Sequence, residues 1–139
     1  MRSRSIAVLY WDTSALLSVL FPDAHSVAAA RTARKAGFHG LSTLAWAEAH
    51  AVIGRLARDR ASSSALLDTA RDLLKVGPWR RINISPSWDI VEALATKWPL
   101  RGADLWHLAA AKSLQTELPE LALLSFDLKL AAAAKGEGL

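Results

Sequence analysis

Four acidic residues fall where the chain passes between strand-like and helix-like runs, and they are the first candidates for chemistry. Asp12 interrupts "IAVLYWDTSALL", an otherwise apolar and small stretch; Glu48 lies inside "LAWAEAHAVI"; Asp104 begins "ADLWHLAAAKSL"; Asp127 follows "LALLSF". A carboxylate without a partner costs several kcal/mol to desolvate, so each needs a structural or chemical reason. Carboxylates that converge repel one another and raise each other's pKa unless a cation is present. A hard divalent ion such as Mg²⁺ or Mn²⁺ takes oxygen ligands, keeps several waters, polarises a phosphodiester and lowers the pKa of an attacking water. That combination is hydrolysis of a nucleic-acid backbone, and it requires no histidine.

A plainer reading exists for each acid taken singly. An aspartate just before a helix is an N-cap worth about 1 kcal/mol, which accounts for Asp104 and Asp127 and extends to Asp12. Glu48 reads as a capping-box partner of Ser42 or Thr43, although it sits within an apolar face.

The elements that must position these acids alternate. "SIAVLYW" reads as a buried strand and "TSALLSVLF" as a helix stopped by Pro22. The segment from Asp23, "DAHSVAAARTARKAG", predicts a helix ending near Arg34 and Lys35, with Gly37 just beyond. "FHGLSTL" is a short strand, followed by a helix from about Ala45 to Arg58 and a serine-capped helix in "SSSALLDTARDLLKVG". "WRRINI" alternates like a strand; a helix starts at Pro86 and Ser87 and ends at Pro99; another follows Gly102 and is closed by Pro119. "LALLSF" is a continuous apolar strand and "LKLAAAA" a last helix. Strands that are apolar throughout and alternate with helices indicate a three-layer α/β fold around a parallel sheet. In such a sheet ligands collect at the carboxyl ends of the strands, where all four acids can lie on one edge.

The 139 residues, 52% hydrophobic and 22% charged, match one domain spanning 1–139 with a sizeable core. The absence of cysteine excludes disulfides, thiolate catalysis and cysteine-ligated metal sites, and a cytoplasmic protein fits best. "MRSRSIAVLYW" imitates a signal peptide, but Asp12 interrupts the apolar run, and no stretch reaches the roughly 20 apolar residues of a membrane span. A net charge of +4 favours an anionic partner such as nucleic acid.

Taken together, "LYWDTSALL", "LAWAEAHAVI", "LRGADLWHLAAAKSL" and "LLSFDLKLAAAA" resemble the PIN-domain family, most closely its small VapC-type toxin ribonucleases of type II toxin-antitoxin systems. The resemblance covers nearly the whole chain. It implies a PIN-like fold with a central parallel sheet of 4–5 strands, and a metal-dependent endoribonuclease that uses Mg²⁺ or Mn²⁺. Asp12 and Asp104 then correspond to direct metal ligands, with Glu48 and Asp127 binding directly or through water. Ser14 and Ser125 match small hydroxyl positions that hydrogen-bond the carboxylates or a water, and also read as helix caps. RNA, including structured RNA such as tRNA, is the implied substrate; a cognate antitoxin protein and a homodimer through the early helices are the implied partners. Family members usually continue past the "AA...GL" turn into a last edge strand, whereas this chain stops at "AKGEGL", so either its sheet is one strand short or the sequence is trimmed there.

Further residues carry two readings each. Trp11, Trp46 and Trp106 lie within two positions of a proposed ligand and either stack bases or pack the core. His107 shares a helical face with Asp104, as a ligand, a base or a packed histidine; His25, His39 and His50 show no ligand spacing. Arg101, ahead of "RLARDR", Arg80-Arg81 and Lys97, is the first choice for contacting an RNA phosphate. A competing function is a non-catalytic PIN-like module that binds RNA or protein without cleaving it. A haloacid-dehalogenase phosphatase would want aspartate where Ser14 stands, a receiver domain an acidic pair near the first strand, and a P-loop "GxxxxGK"; none is present.

Overall fold

The computed structural model describes residues 6–139. Ser5, predicted in the first strand, and Arg2 and Arg4, which entered the signal-peptide comparison, lie outside the described residues. The elements run β1 (Ala7–Trp11), α1 (Thr13–Leu20), α2 (Ser26–Ala33), β2 (Gly37–Ser42), α3 (Thr43–Arg58), α4 (Ser64–Val76), β3 (Trp79–Ile82), α5 (Trp88–Lys97), α6 (Gly102–Gln115), β4 (Ala122–Leu124) and α7 (Leu128–Gly136). The four strands pair in the order β3-β2-β1-β4, every pair parallel. Among the described residues no helix is long and apolar enough to cross a membrane.

The central strand feeds both faces of the sheet because successive side chains of β1 point opposite ways. Trp11 enters one core with Leu16 and Leu20 of α1, Ala45 and Ile53 of α3, and Leu67 and Leu74 of α4. Tyr10 enters the other with Leu94 of α5, Leu108 of α6 and Leu130 of α7. Helices thus cover both faces, the three-layer α/β architecture that the uninterrupted apolar strands predict.

Three elements differ from the sequence pattern for local reasons. The helix predicted from Asp23 begins at Ser26. Asp23 Oδ1 accepts the His25 N–H at 2.7 Å and Ser26 Oγ accepts the Asp23 N–H at 2.8 Å, so side chains close a turn that competes with helix. Gly37 opens β2 and does not stop α2; its φ is +139°, and a Cβ there would stand 1.9 Å from the carbonyl oxygen of Ala7, its partner on β1. The "LALLSF" strand shortens to Ala122–Leu124, because the Ser125 hydroxyl turns toward the end of β1.

A buried acid ties the second helical layer together. Glu137, whose side chain is 8% exposed, accepts from Lys97 Nζ at 2.7 Å and from Trp98 Nε1 at 2.9 Å, while Lys112 Nζ donates to its carbonyl oxygen at 2.7 Å. Lys97, a candidate phosphate contact by sequence, is thereby engaged in an ion pair. The Lys97 hydrogen bond, then that of Trp98, holds the Glu137 carboxyl below the usual glutamate range. A depressed folded-state pKa contributes stability that is present above the ordinary value and lost as pH falls through the folded one. Glu137→Gln is therefore expected to destabilise the protein by about 1 kcal/mol at pH 7, with the difference shrinking as pH falls below the ordinary glutamate range and closing once the folded carboxyl is protonated as well. Thermal melts of both proteins across that range check it; a gap independent of pH would show that packing and not charge holds this junction.

Candidate active site

Strand order reverses at β1: the chain moves through β2 to β3 on one side and returns to place β4 on the other. The crevice beyond the carboxyl ends of β1 and β4 is where an open α/β sheet takes ligands. Asp12 follows β1, and Ser125 and Asp127 follow β4; the Asp12 N–H donates to the Leu124 carbonyl at 3.1 Å, carrying the pairing one residue past the strands.

Asp12 is 2% exposed and caps α1, its Oδ1 accepting the Ala15 N–H at 2.8 Å. The Ser14 hydroxyl is shared between its two oxygens at 2.8 and 2.9 Å, and Ser125 Oγ donates to Oδ2 at 2.6 Å. A carboxylate has about four acceptor sites, so these three donors leave room for one more partner. Ser125 Oγ also accepts the Asp127 N–H at 3.1 Å and Ser14 Oγ the Phe126 N–H at 3.2 Å, which fixes the turn after β4 against the start of α1. Asp127 caps α7 through the Leu130 N–H at 2.9 Å.

Glu48 belongs to no capping box. Ser42 caps α3 by accepting the Ala45 N–H, and Glu48 stands further along, where Thr13 Oγ1 donates to its Oε1 at 2.7 Å. The Thr13 proton being committed, its oxygen accepts the Nε2–H of His107 at 3.0 Å, and His107 Nδ1 accepts the Tyr10 hydroxyl at 2.6 Å. This assignment follows from the hydrogen-bond pattern. Burial holds the His107 pKa below the ordinary histidine value, against the opposite pull of Asp12 and Glu48, and a neutral ring gives each nitrogen one role. Burial likewise pushes the Tyr10 hydroxyl up, keeping it a donor. His107, a candidate ligand or base by its spacing from Asp104, is instead buried at 1% exposure with both nitrogens occupied.

Asp104 sits in the first turn of α6 but does not cap it; Arg101 holds the N-cap position without a side-chain cap bond. Its carboxyl is raised above the ordinary aspartate value, first by burial and then by Asp127, Asp12 and Glu48, with Arg101 pulling the other way. The other three acids therefore all act electrostatically on Asp104. Asp104, Asp127, Arg101, Phe126 and Lys129 line an open cleft of about 540 Å³. The His25 ring stacks on Phe126 at 4.4 Å.

The donor set around this cleft is all oxygen, as a hard divalent cation requires. Among the described residues no three His, Asp or Glu side chains stand close enough to hold a metal by themselves. Mg²⁺ is usually held by one or two carboxylates with waters completing its shell, so the residues fit such an ion.

The other candidates separate clearly. Trp11 is fully buried and donates through Nε1 to His39 Nδ1 at 3.0 Å, while His39 Nε2 donates to the Lys35 carbonyl at 2.8 Å; both are packing residues. Trp106 packs against the second core, and Trp46 is half-buried beside Arg81. Sequence reasoning passed over Thr13, Tyr10, Phe126 and Lys129. Thr13 stands within the "DTSA" run, but its partners Glu48 and His107 lie 35 and 94 residues away and only the fold brings them together.

A family model described as PIN domain matches residues 9–136. Comparison with curated proteins finds no match. Among solved structures, PAE2754 from Pyrobaculum aerophilum is similar at 22% identity and a TM-score of 0.57, over 94% of this chain and 87% of that one. VapC20 from Mycobacterium tuberculosis, described as a sarcin-ricin loop cleaving toxin, is similar at 19% identity and a TM-score of 0.57, over 90% of this chain and 94% of that one. At these identities the likeness is one of fold.

The raised Asp104 pKa makes the folded, metal-free protein hold that proton more tightly than the unfolded chain. Stability then falls as pH rises from the ordinary aspartate range through the folded value. Asp104→Asn in EDTA at pH 7 is expected to raise stability, by less than about 1 kcal/mol because solvent screens so accessible a group. Urea denaturation of the two proteins measures this, and a less stable variant would mean that burial and the neighbouring acids do not disfavour the Asp104 charge.

Proposed function

The chain belongs to the PIN-domain family, and from that premise we propose that it is a metal-dependent endoribonuclease, the toxin of a type II toxin-antitoxin pair of the VapC kind. The observation that carries the reading is the set of acids at the carboxyl edge of the sheet, Asp12 after β1 and Asp127 after β4, with the Asp104 carboxyl raised by burial and then by Asp127, Asp12 and Glu48. A site for polyanions gains nothing from clustered carboxylates unless a cation joins them. When bound, Mg²⁺ or Mn²⁺ supplies Lewis acidity toward the phosphodiester and the attacking water.

The protein's own residues do the rest. Arg101 and Lys129, both exposed on the rim of the cleft, hold the phosphate backbone over the acids. Asp12 and Asp104 would hold the ion directly, with Glu48 and Asp127 binding it directly or through water, and the attacking water gives up its proton as it adds to phosphorus. One P–O bond forms to that water and one breaks to the leaving ribose oxygen, which takes up a proton. Ser14 and Ser125 fix the orientation of Asp12, and Thr13 that of Glu48.

RNA as substrate is supported by the family and by VapC20, whose description names a cleaved RNA loop. A structured RNA such as tRNA, a cognate antitoxin, a homodimer and a cytoplasmic location belong to the same reading through the VapC resemblance, within a single domain spanning 1–139. A second reading is a non-catalytic PIN-like module that binds RNA or protein without cleaving it, against which the retention of all four acids argues.

Incubation of total tRNA with the purified protein and Mg²⁺ or Mn²⁺ distinguishes the two. Discrete fragments are expected from the wild type and none with EDTA or from Asp104→Asn, while Ser125→Ala should lower the rate by about 10- to 100-fold. Equal fragment yields from wild type and Asp104→Asn would sink the catalytic assignment, and a folded protein that binds RNA without cutting it would support the binding module.

A further inference from the structure

Resting on the ribonuclease reading, we propose that the cavity between α3 and β3 is a nucleotide subsite, which takes an unpaired base of the RNA flanking the cleaved bond. The cavity, about 310 Å³, is lined by Ser42, Thr43, Trp46, Arg81 and Asn83. It lies on the same carboxyl edge as the acids, with β3 two strands from β1, which at the usual strand spacing is roughly 10 Å away. Trp46 and Glu48 share the early turns of α3 but serve opposite sides of it: Glu48 meets Thr13 beside β1, and Trp46 meets Arg81 on β3. A strand of RNA crossing the acids would therefore bring a neighbouring nucleotide to Trp46.

The chemistry of the pair is that of a stacking platform. The Arg81 guanidinium lies 5.4 Å from the centre of the Trp46 ring, and the His50 ring lies 4.8 Å from it on the next turn. Trp46 is anchored by packing against the first core while remaining half-exposed, so its ring is presented in a fixed orientation. Single-stranded RNA is recognised by stacking its bases on aromatic rings and arginine planes, with the cation contacting phosphate.

The strand register by itself does not call for a charge at Arg81. By register it pairs with Leu41, and Leu41 with Trp11, two core residues on the same face of the sheet, so an apolar side chain would continue that face. Arg81 is exposed instead, and among the described residues its guanidinium has no carboxylate partner. A second cavity of about 280 Å³, bounded by the same two side chains and by Lys75, makes the pair a ridge with a further cation beyond it.

The test is binding of a short fluorescein-labelled single-stranded oligouridylate to the whole protein in EDTA, read by anisotropy, so that cleavage plays no part. Arg81→Ala and Trp46→Leu are each expected to weaken binding about 5-fold or more. Arg81→Ala should also reduce the salt slope by about one, which Trp46→Leu should not do, and Lys135→Ala, an exposed lysine in the last turn of α7, should leave binding unchanged. Duplex RNA, whose bases are not free to stack, should lose little to Trp46→Leu. Circular dichroism confirms folding, and if Trp46→Leu does not fold, the exposed Arg81 carries the test alone. Wild-type affinity in folded Arg81→Ala, or no binding by the wild type, overturns the subsite. Failure of the nuclease reading appears separately, as absence of cleavage with metal while the variants still differ in binding.

Discussion

The rest of the site depends on how one buried carboxylate is held at the end of the central strand. Asp12 is 2% exposed, and a charge so placed has to be matched by hydrogen bonds or it destabilises the fold by several kcal/mol. Its three donors come from different parts of the chain: the first turn of α1, Ser14 beside it, and Ser125 more than a hundred residues on. The last of these exists only because β4 pairs with β1 and not with the far edge of the sheet. Strand order and site are thus one constraint. The reversal that brings β4 back beside β1 satisfies Asp12 and delivers Asp127 to the same crevice.

The alternation of β1 extends that constraint to the other acids. Trp11 points into one core and is fixed by His39; Tyr10 points into the other and donates to His107. From Tyr10 the donor sense runs one way, through His107 and Thr13 to Glu48, and each group uses the proton it has. Reversing any one member would leave two acceptors or two donors facing each other in a place with little water. Among the described residues every buried side-chain polar atom has a partner, so the buried Tyr10–His107 end of this chain of bonds is fixed by necessity as well as by packing.

Much of the fold was legible in the sequence because its signals are local. Apolar runs marked β1 and β4 and alternation marked β3, and the serines at 42, 63 and 87 sit at the caps of α3, α4 and α5, where side-chain oxygens accept backbone N–H groups. The late start of α2 was not legible, since Asp23 prefers its own turn by hydrogen bonds that no periodicity records. The short β4 was hidden for the opposite reason: "SF" has strand character, but Ser125 is claimed by Asp12 across the sheet. The four acids could be picked out by type and placement, whereas Thr13 and Tyr10 could not, because their importance lies in partners that only the folded chain supplies. The capping reading was right for Asp12 and Asp127 as geometry and wrong for Asp104, and capping does not preclude a second use of a carboxylate whose acceptor sites are not all filled.

Gathering acids at one edge creates a problem for the proposed substrate as well as for the acids. With four of the thirteen Asp and Glu residues concentrated there, the remaining surface is more basic than the total of +4 implies. An anionic strand would be drawn toward the molecule at long range and repelled at the last few ångströms. Cations set beside the cleft resolve the conflict, and their positions match it: Arg101 and Lys129 border the acids on the side of α6 and α7, and Arg81 lies on the opposite flank at β3. A backbone held from both sides can cross the carboxylates without depending on them for affinity, which leaves the acids to act only where a divalent ion joins them. On the proposed reading, binding and cleavage would be separable functions of neighbouring residues on one sheet edge, the first carried by cations and rings outside the acidic centre and the second by the centre itself.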